Sequence, residues 1–77
     1  MQADIQIKLF ASLSKLMPES CDHYPIEQGI QVLDLVRQLK IPENQAKLIF
    51  INGVMSELTS VLNGGERVGI FPPVGGG

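Results

Sequence analysis

The 77-residue sequence predicts an α+β fold in which one main helix packs on one face of a mixed sheet. Three observations carry that expectation. The chain opens on a strand-period alternation, with Ile5, Ile7 and Leu9 set against Gln6, Lys8 and Phe10. Its middle holds one helical stripe of Val32, Leu33, Leu35, Val36 and Leu39. Short apolar runs separated by Asn-Gly and Gly-Gly turns then follow.

Taken in order, residues 11–17 are expected to form one or two helical turns after the first strand. Ser12 serves as N-cap, Leu13, Leu16 and Met17 share a side, and Pro18 stops the turn. Residues 21–26 read as a second strand, with Pro25 placing it at an edge and Cys21 and His23 sharing one face. Glu27-Gln28-Gly29 is turn chemistry. The main helix starts weakly, because Gln31 is a poor N-cap. Asp34 in its first turn and Lys40 in its last suit the helix dipole, and Pro42 disfavours helical geometry at Ile41.

Residues 42–47 form a polar connection, and 48–51 read as a buried strand. Asn52-Gly53 follows as a hairpin turn, whose two central positions need positive φ, and Val54-Met55 begin a short return strand. Leu58 and Leu62 are expected to cap the core from a loop, with Asn63-Gly64-Gly65 as a further turn. Residues 66–71 form the last strand, Val68 and Ile70 on one face, Gly69 and Phe71 on the other. This order is the ubiquitin-like β-grasp arrangement, with the last strand central. It divides the chain into a domain, 1–71, and an extended functional tail, 72–77.

The composition narrows the function. At 44% apolar and 18% charged the chain can build a core, and its net charge of -2, with scattered Lys and Arg, lacks a nucleic-acid footprint. No apolar run approaches a membrane span and no basic-then-apolar leader is visible, so no nucleic-acid or membrane partner and a cytoplasmic location are expected. The single cysteine, Cys21, has no companions for a disulfide or a metal site. His23 lacks a nucleophile and an orienting third group, the carboxylates form no arguable pair, and Gly64-Gly65 lacks the Lys-Ser/Thr of a phosphate loop. The body of the domain shows no active site.

The aromatic residues say more. Phe10 lies opposite the aliphatic face of the first strand, and Phe71 lies opposite Val68 and Ile70. If those strands are neighbours, the two rings meet on the face that the helix leaves open, with Met55 near them. An apolar patch there, beside the root of the tail, would bind a protein. The alternative is that loops bury these side chains.

The tail, Phe71-Pro72-Pro73-Val74-Gly75-Gly76-Gly77, runs from an apolar strand through two prolines into three glycines. A frayed end is the plain alternative. With Ile7-Lys8-Leu9-Phe10-Ala11, Val32-Leu33-Asp34-Leu35, Ile51-Asn52 and Leu62-Asn63-Gly64-Gly65-Glu66-Arg67-Val68, however, the chain resembles the small subunit of molybdopterin synthase. That subunit is one of the ubiquitin-like sulfur carriers, the MoaD/ThiS family. The most specific part of the resemblance is the Phe-Pro-Pro-Val segment followed by Gly76-Gly77.

The resemblance implies that a ubiquitin-activating-like enzyme, using ATP and magnesium, adenylates the Gly77 carboxylate, which then becomes a thiocarboxylate with sulfur from a donor protein. The tail would insert into the large synthase subunit and give sulfur to a cyclic pterin phosphate, forming the dithiolene that holds molybdenum or tungsten. Gly77 and Gly76 are then the catalytic positions. Phe10, Met55, Phe71, Pro72, Pro73, Val74 and Gly75 are partner-binding, and the carrier itself binds no cofactor or metal. It would be the sulfur-carrying small subunit of a two-subunit synthase, without an autonomous catalytic site.

The physical logic agrees. An ionised carboxylate is a poor electrophile until activated. Glycines pass a narrow channel, and two prolines limit the freedom lost on insertion. Gly75 departs from the pattern by making a triple glycine, common in the thiamin-pathway sulfur carrier. Gln31 stands where Ser or Thr is more usual. A thiamin-pathway carrier, a ubiquitin-like protein modifier joined through Gly77 to lysines, and a non-covalent binding module remain as alternatives.

Overall fold

The computed structural model describes residues 2–73; Val74, Gly75, Gly76 and Gly77 lie outside the described residues. In chain order the elements are β1 (Gln2–Leu9), a 3-10 helix (Ala11–Leu16), β2 (Tyr24–Glu27), β3 (Ile30–Gln31) and α1 (Val32–Gln38). A second 3-10 turn (Glu43–Gln45), β4 (Leu48–Ile51), β5 (Val54–Ser56), β6 (Val61–Leu62) and β7 (Arg67–Phe71) complete the fold. Five strands form one sheet in the order β2-β1-β7-β4-β5. The β1–β7 pair is parallel and the other pairs are antiparallel, so β7 is central. A mixed sheet with one main helix in this order is the ubiquitin-like β-grasp fold.

The core follows from alternation meeting the helical stripe. Ile5, Ile7 and Leu9 of β1, Ile49 of β4, and Val68 and Ile70 of β7 are buried with Val32, Leu35, Val36 and Leu39. The odd-numbered face of β1 is therefore the helix side. Tyr24 also leans that way, and its hydroxyl donates to Gln38 Oε1 at 3.1 Å. Among the described residues no helix is long and apolar enough to cross a membrane.

Several local expectations change. The second strand begins at Tyr24 and includes Glu27. Residues 18–23 are instead bent by turns in which Cys21 N–H donates to the Pro18 carbonyl (3.2 Å) and His23 N–H to the Ser20 carbonyl (2.9 Å). Cys21 and His23 therefore share no strand face. Leu62 is fully buried, but from a strand: β6 pairs antiparallel with β3 in a separate two-stranded sheet. The Asn52-Gly53 turn has positive φ at both positions, 54° and 81°, as a tight hairpin requires.

The helix also differs at its ends. At its start the Asp34 carboxylate accepts the Gln31 N–H at 3.0 Å, which supports an otherwise weak N-terminus. At its end Lys40 lies outside the helix, in left-handed backbone with φ 61°. Its N–H donates to the Arg37 carbonyl (3.1 Å), while Ile41 N–H donates to the Val36 carbonyl (3.0 Å). These two bonds, with Ile41 and Val36 both buried, define a Schellman ending with lysine where glycine is usual. The turn before β7 instead uses glycine of necessity. A Cβ on Gly64, at φ 123°, would lie 2.6 Å from the Ala3 Cβ.

Two stability changes of opposite sign are expected from these turns. Lys40→Gly relieves a left-handed side-chain position and should raise unfolding free energy by about 0.5–1 kcal/mol in urea titrations. Gly64→Ala should lower it by about 2 kcal/mol or more, since the new methyl meets Ala3 in a strained backbone.

Candidate functional site

β7 lies between β1 and β4, so Arg67, Gly69 and Phe71 project from the sheet face opposite the helix. Register arranges that face in ranks. Gly69 is flanked by Lys8 and Phe50, and Phe50 in turn pairs with Met55 on β5. Phe71 pairs with Leu48 one rank nearer the Pro72-Pro73 end. Phe10 follows β1 in extended backbone and donates its N–H to the Ile70 carbonyl at 3.2 Å, which brings its ring beside Phe71.

The result is an aromatic cluster. The Phe10 and Phe71 rings stack with centroids 4.0 Å apart and an interplanar angle of 1°. Phe50 meets Phe71 edge-on at 5.5 Å and 77°. Gly69 leaves room beneath them: a Cβ there would already be 3.4 Å from Phe10 Cε2. All three phenylalanines are half-buried, so part of each ring faces outward. Met55 is 65% exposed, one strand beyond Phe50.

Phe10 and Phe71 thus meet on the open face, as parity of their strands predicts, and Met55 stands on the same face. The 48–51 run reads as wholly buried in the sequence, and the structure corrects this at Phe50, which is half-buried on the open face. Its signal was present in the alternation with Ile49, which points into the core while Leu48 and Phe50 point away. Pro72 and Pro73 leave directly from β7, whose last carbonyl, on Phe71, accepts the Lys47 N–H at 3.1 Å. The expected tail positions Val74, Gly75, Gly76 and Gly77 lie outside the described residues.

Beside the aromatic side chains and Met55, this face carries Gln6, Lys8 and Arg67, a polar and cationic flank to the apolar cluster. Among the described residues no group of three His, Cys, Asp or Glu side chains is placed to hold a metal ion. Elsewhere His23 Nδ1 lies 3.9 Å from Asp4 Oδ2, both well exposed, and Cys21 is a free, half-buried thiol.

A family model described as the ThiS family matches residues 7–77. No curated protein matches the chain. Among solved structures, the chain is similar to the HVO 2177 protein of Haloferax volcanii, known from a solution structure. The TM-score is 0.78 at 18% identity, over 99% of this chain and 88% of that one. Against the crystal structure of SAMP1 from Haloferax volcanii the TM-score is 0.66 at 22% identity, over 97% of this chain and 100% of that one. A Pyrococcus furiosus protein described as a candidate molybdopterin converting factor, subunit 1, gives 0.63 at 27% identity, over 94% and 99%. At these identities the two Haloferax proteins speak for the fold alone.

Phe71→Ala removes both ring contacts but no fully buried side chain. It is expected to cost about 1–2 kcal/mol while thermal unfolding stays a single cooperative transition. Loss of cooperative unfolding would instead make Phe71 a core residue.

Proposed function

The chain belongs to the ThiS family of ubiquitin-like sulfur carriers, and we propose that it carries sulfur on the Gly77 carboxylate for molybdopterin synthesis. The observation that carries this reading is the stack of Phe10 on Phe71 at the root of the tail. A half-buried aromatic cluster at the end of the central strand, flanked by the exposed Met55, is the docking surface in this reading. Whatever binds it finds Pro72-Pro73 and the glycine-rich sequence leading away from a fixed point.

In this reading the carrier supplies the carboxylate and the docking surface, and its partners supply the chemistry. The Gly77 carboxylate attacks the α-phosphorus of ATP, held with magnesium by the activating enzyme, and displaces pyrophosphate to form an acyl-adenylate. A sulfur nucleophile at the hydrosulfide level, delivered by a donor protein, then displaces AMP and leaves the thiocarboxylate. In the large synthase subunit the thiocarboxylate sulfur bonds to the pterin precursor, and water cleaves the acyl–sulfur bond, leaving the sulfur on the precursor and returning the Gly77 carboxylate. Gly75 and Gly76 let the chain enter close to the nucleotide, while Pro72 and Pro73 restrict the conformations lost on insertion. Phe10, Phe71 and Met55 supply the apolar contact, joined by Phe50.

The molybdopterin branch is favoured by the Pyrococcus furiosus relative, which matches nearly the whole of both chains, and by the Phe71-Pro72-Pro73 segment. The thiamin branch is the second reading, for the triple glycine.

Incubation with a cognate adenylating enzyme, magnesium-ATP and a sulfur donor is expected to exchange one oxygen for sulfur in the intact mass. Deleting Gly76 and Gly77 should abolish the exchange. Thiol-resistant adducts on lysines of other proteins, without free thiocarboxylate, would replace this reading with that of a protein modifier. The pathway is tested by rescue: growth should return to a strain lacking the molybdopterin synthase small subunit, not to one lacking the thiamin sulfur carrier.

A further inference from the structure

The open face is not uniformly apolar. Beside the aromatic cluster, away from the tail, lies a cavity of about 270 Å³ lined in part by Gln6, Lys8, Asp22, Phe50, Arg67 and Gly69. Gly69 explains why space exists there. It sits between Lys8 and Phe50 in register, so the central strand contributes no side chain where its neighbours contribute long ones. Phe50 and Gly69 belong to both the cavity and the cluster, so one bound surface covers both.

The charge of this cavity runs against that of the chain. The protein carries a net charge of -2, yet two cations and one acid line the space. Among the described residues neither Lys8 nor Arg67 has an ion-pair partner, whereas Arg37 is paired with Glu43 at 3.7 Å. A partner seated on the phenylalanines strips water from the cavity. Two cations dehydrated without a counter-charge would oppose that seating, whereas an anion set between them would favour it. A carboxylate fits the guanidinium of Arg67 through paired N–H donors, and Asp22 at the wall disfavours a second acid.

We propose that this cavity receives one carboxylate, from an Asp or Glu side chain, of the partner protein that docks on the aromatic cluster. The inference rests on the docking role proposed above and adds the chemistry of the partner. It makes the partner's contact surface a large apolar side chain with an acid beside it. The apolar contact sets most of the affinity, and the acid fixes orientation and speeds encounter.

The test measures binding of the full chain to the cognate adenylating enzyme at about 0.05 M and about 0.5 M ionic strength. Lys8→Glu combined with Arg67→Glu should weaken binding by about tenfold or more at low salt and reverse the sign of its salt dependence, because two acids then face the partner's carboxylate. Phe10→Ala should weaken binding to a similar degree at both. Lys8→Gln with Arg67→Gln, which introduces no new charge, should fall between wild type and the double reversal, and matching melting curves establish that the variants are folded. If wild type binds and both double variants bind within about twofold of it, the carboxylate site is overturned and the sulfur-carrier reading stands. A wild-type chain that neither binds the enzyme nor gains sulfur overturns the sulfur-carrier reading, and this inference with it.

Discussion

The parallel pairing of β1 with β7 is the contact on which the rest of the molecule depends. It joins the two ends of the described chain, Ile7 opposite Val68 and Leu9 opposite Ile70, and makes the last strand the middle of the sheet. Because side chains alternate, a slip of one residue would turn Val68 and Ile70 out to water and Phe71 into the core. The same register therefore builds the hydrophobic interior and the aromatic face. Core and aromatic face are two sides of one strand.

Register this consequential is held at both ends of β7. At its start the Glu66 carboxylate accepts the N–H groups of Asn63 (2.8 Å) and Gly64 (2.7 Å), while Gly65 N–H reaches the Asp4 carbonyl at 2.7 Å. Asn52 closes the other side: its N–H donates to the Arg67 carbonyl at 2.8 Å, and its Oδ1 accepts the Arg67 N–H at 3.0 Å. One side chain thus ties the hairpin turn to the central strand. At the far end Phe10 and Lys47 donate backbone bonds to Ile70 and Phe71. The point where Pro72 begins is thus fixed from both neighbouring strands.

Much of this was legible in the residues because period is a strong signal. The alternation of β1 and β7 predicts both the buried row and the meeting of Phe10 with Phe71, and the Val32–Leu39 stripe predicts the helix side. What failed lacked a period or depended on distant contacts. β3 and β6 hold two residues each, too few to alternate, and exist only because their partners are near. Cys21 and His23 looked strand-like beside Tyr24, but the bonds to Pro18 and Ser20 bend that segment into turns. Lys40 and Ala11 adopt left-handed backbone without glycine, each shortly before a buried side chain, Ile41 and Leu13. Phe50 was read as interior because a short apolar run does not declare which face is wet.

The placement of Tyr24 has an optical consequence. It is the only tyrosine in a sequence without tryptophan, and its hydroxyl is bonded to Gln38 on the helix side. The aromatic face holds phenylalanine alone. Near-ultraviolet emission from this protein therefore reports the closure of β2 against α1 and is blind to events on the opposite face. Any tryptophan signal that changes in a mixture therefore belongs to the other molecule.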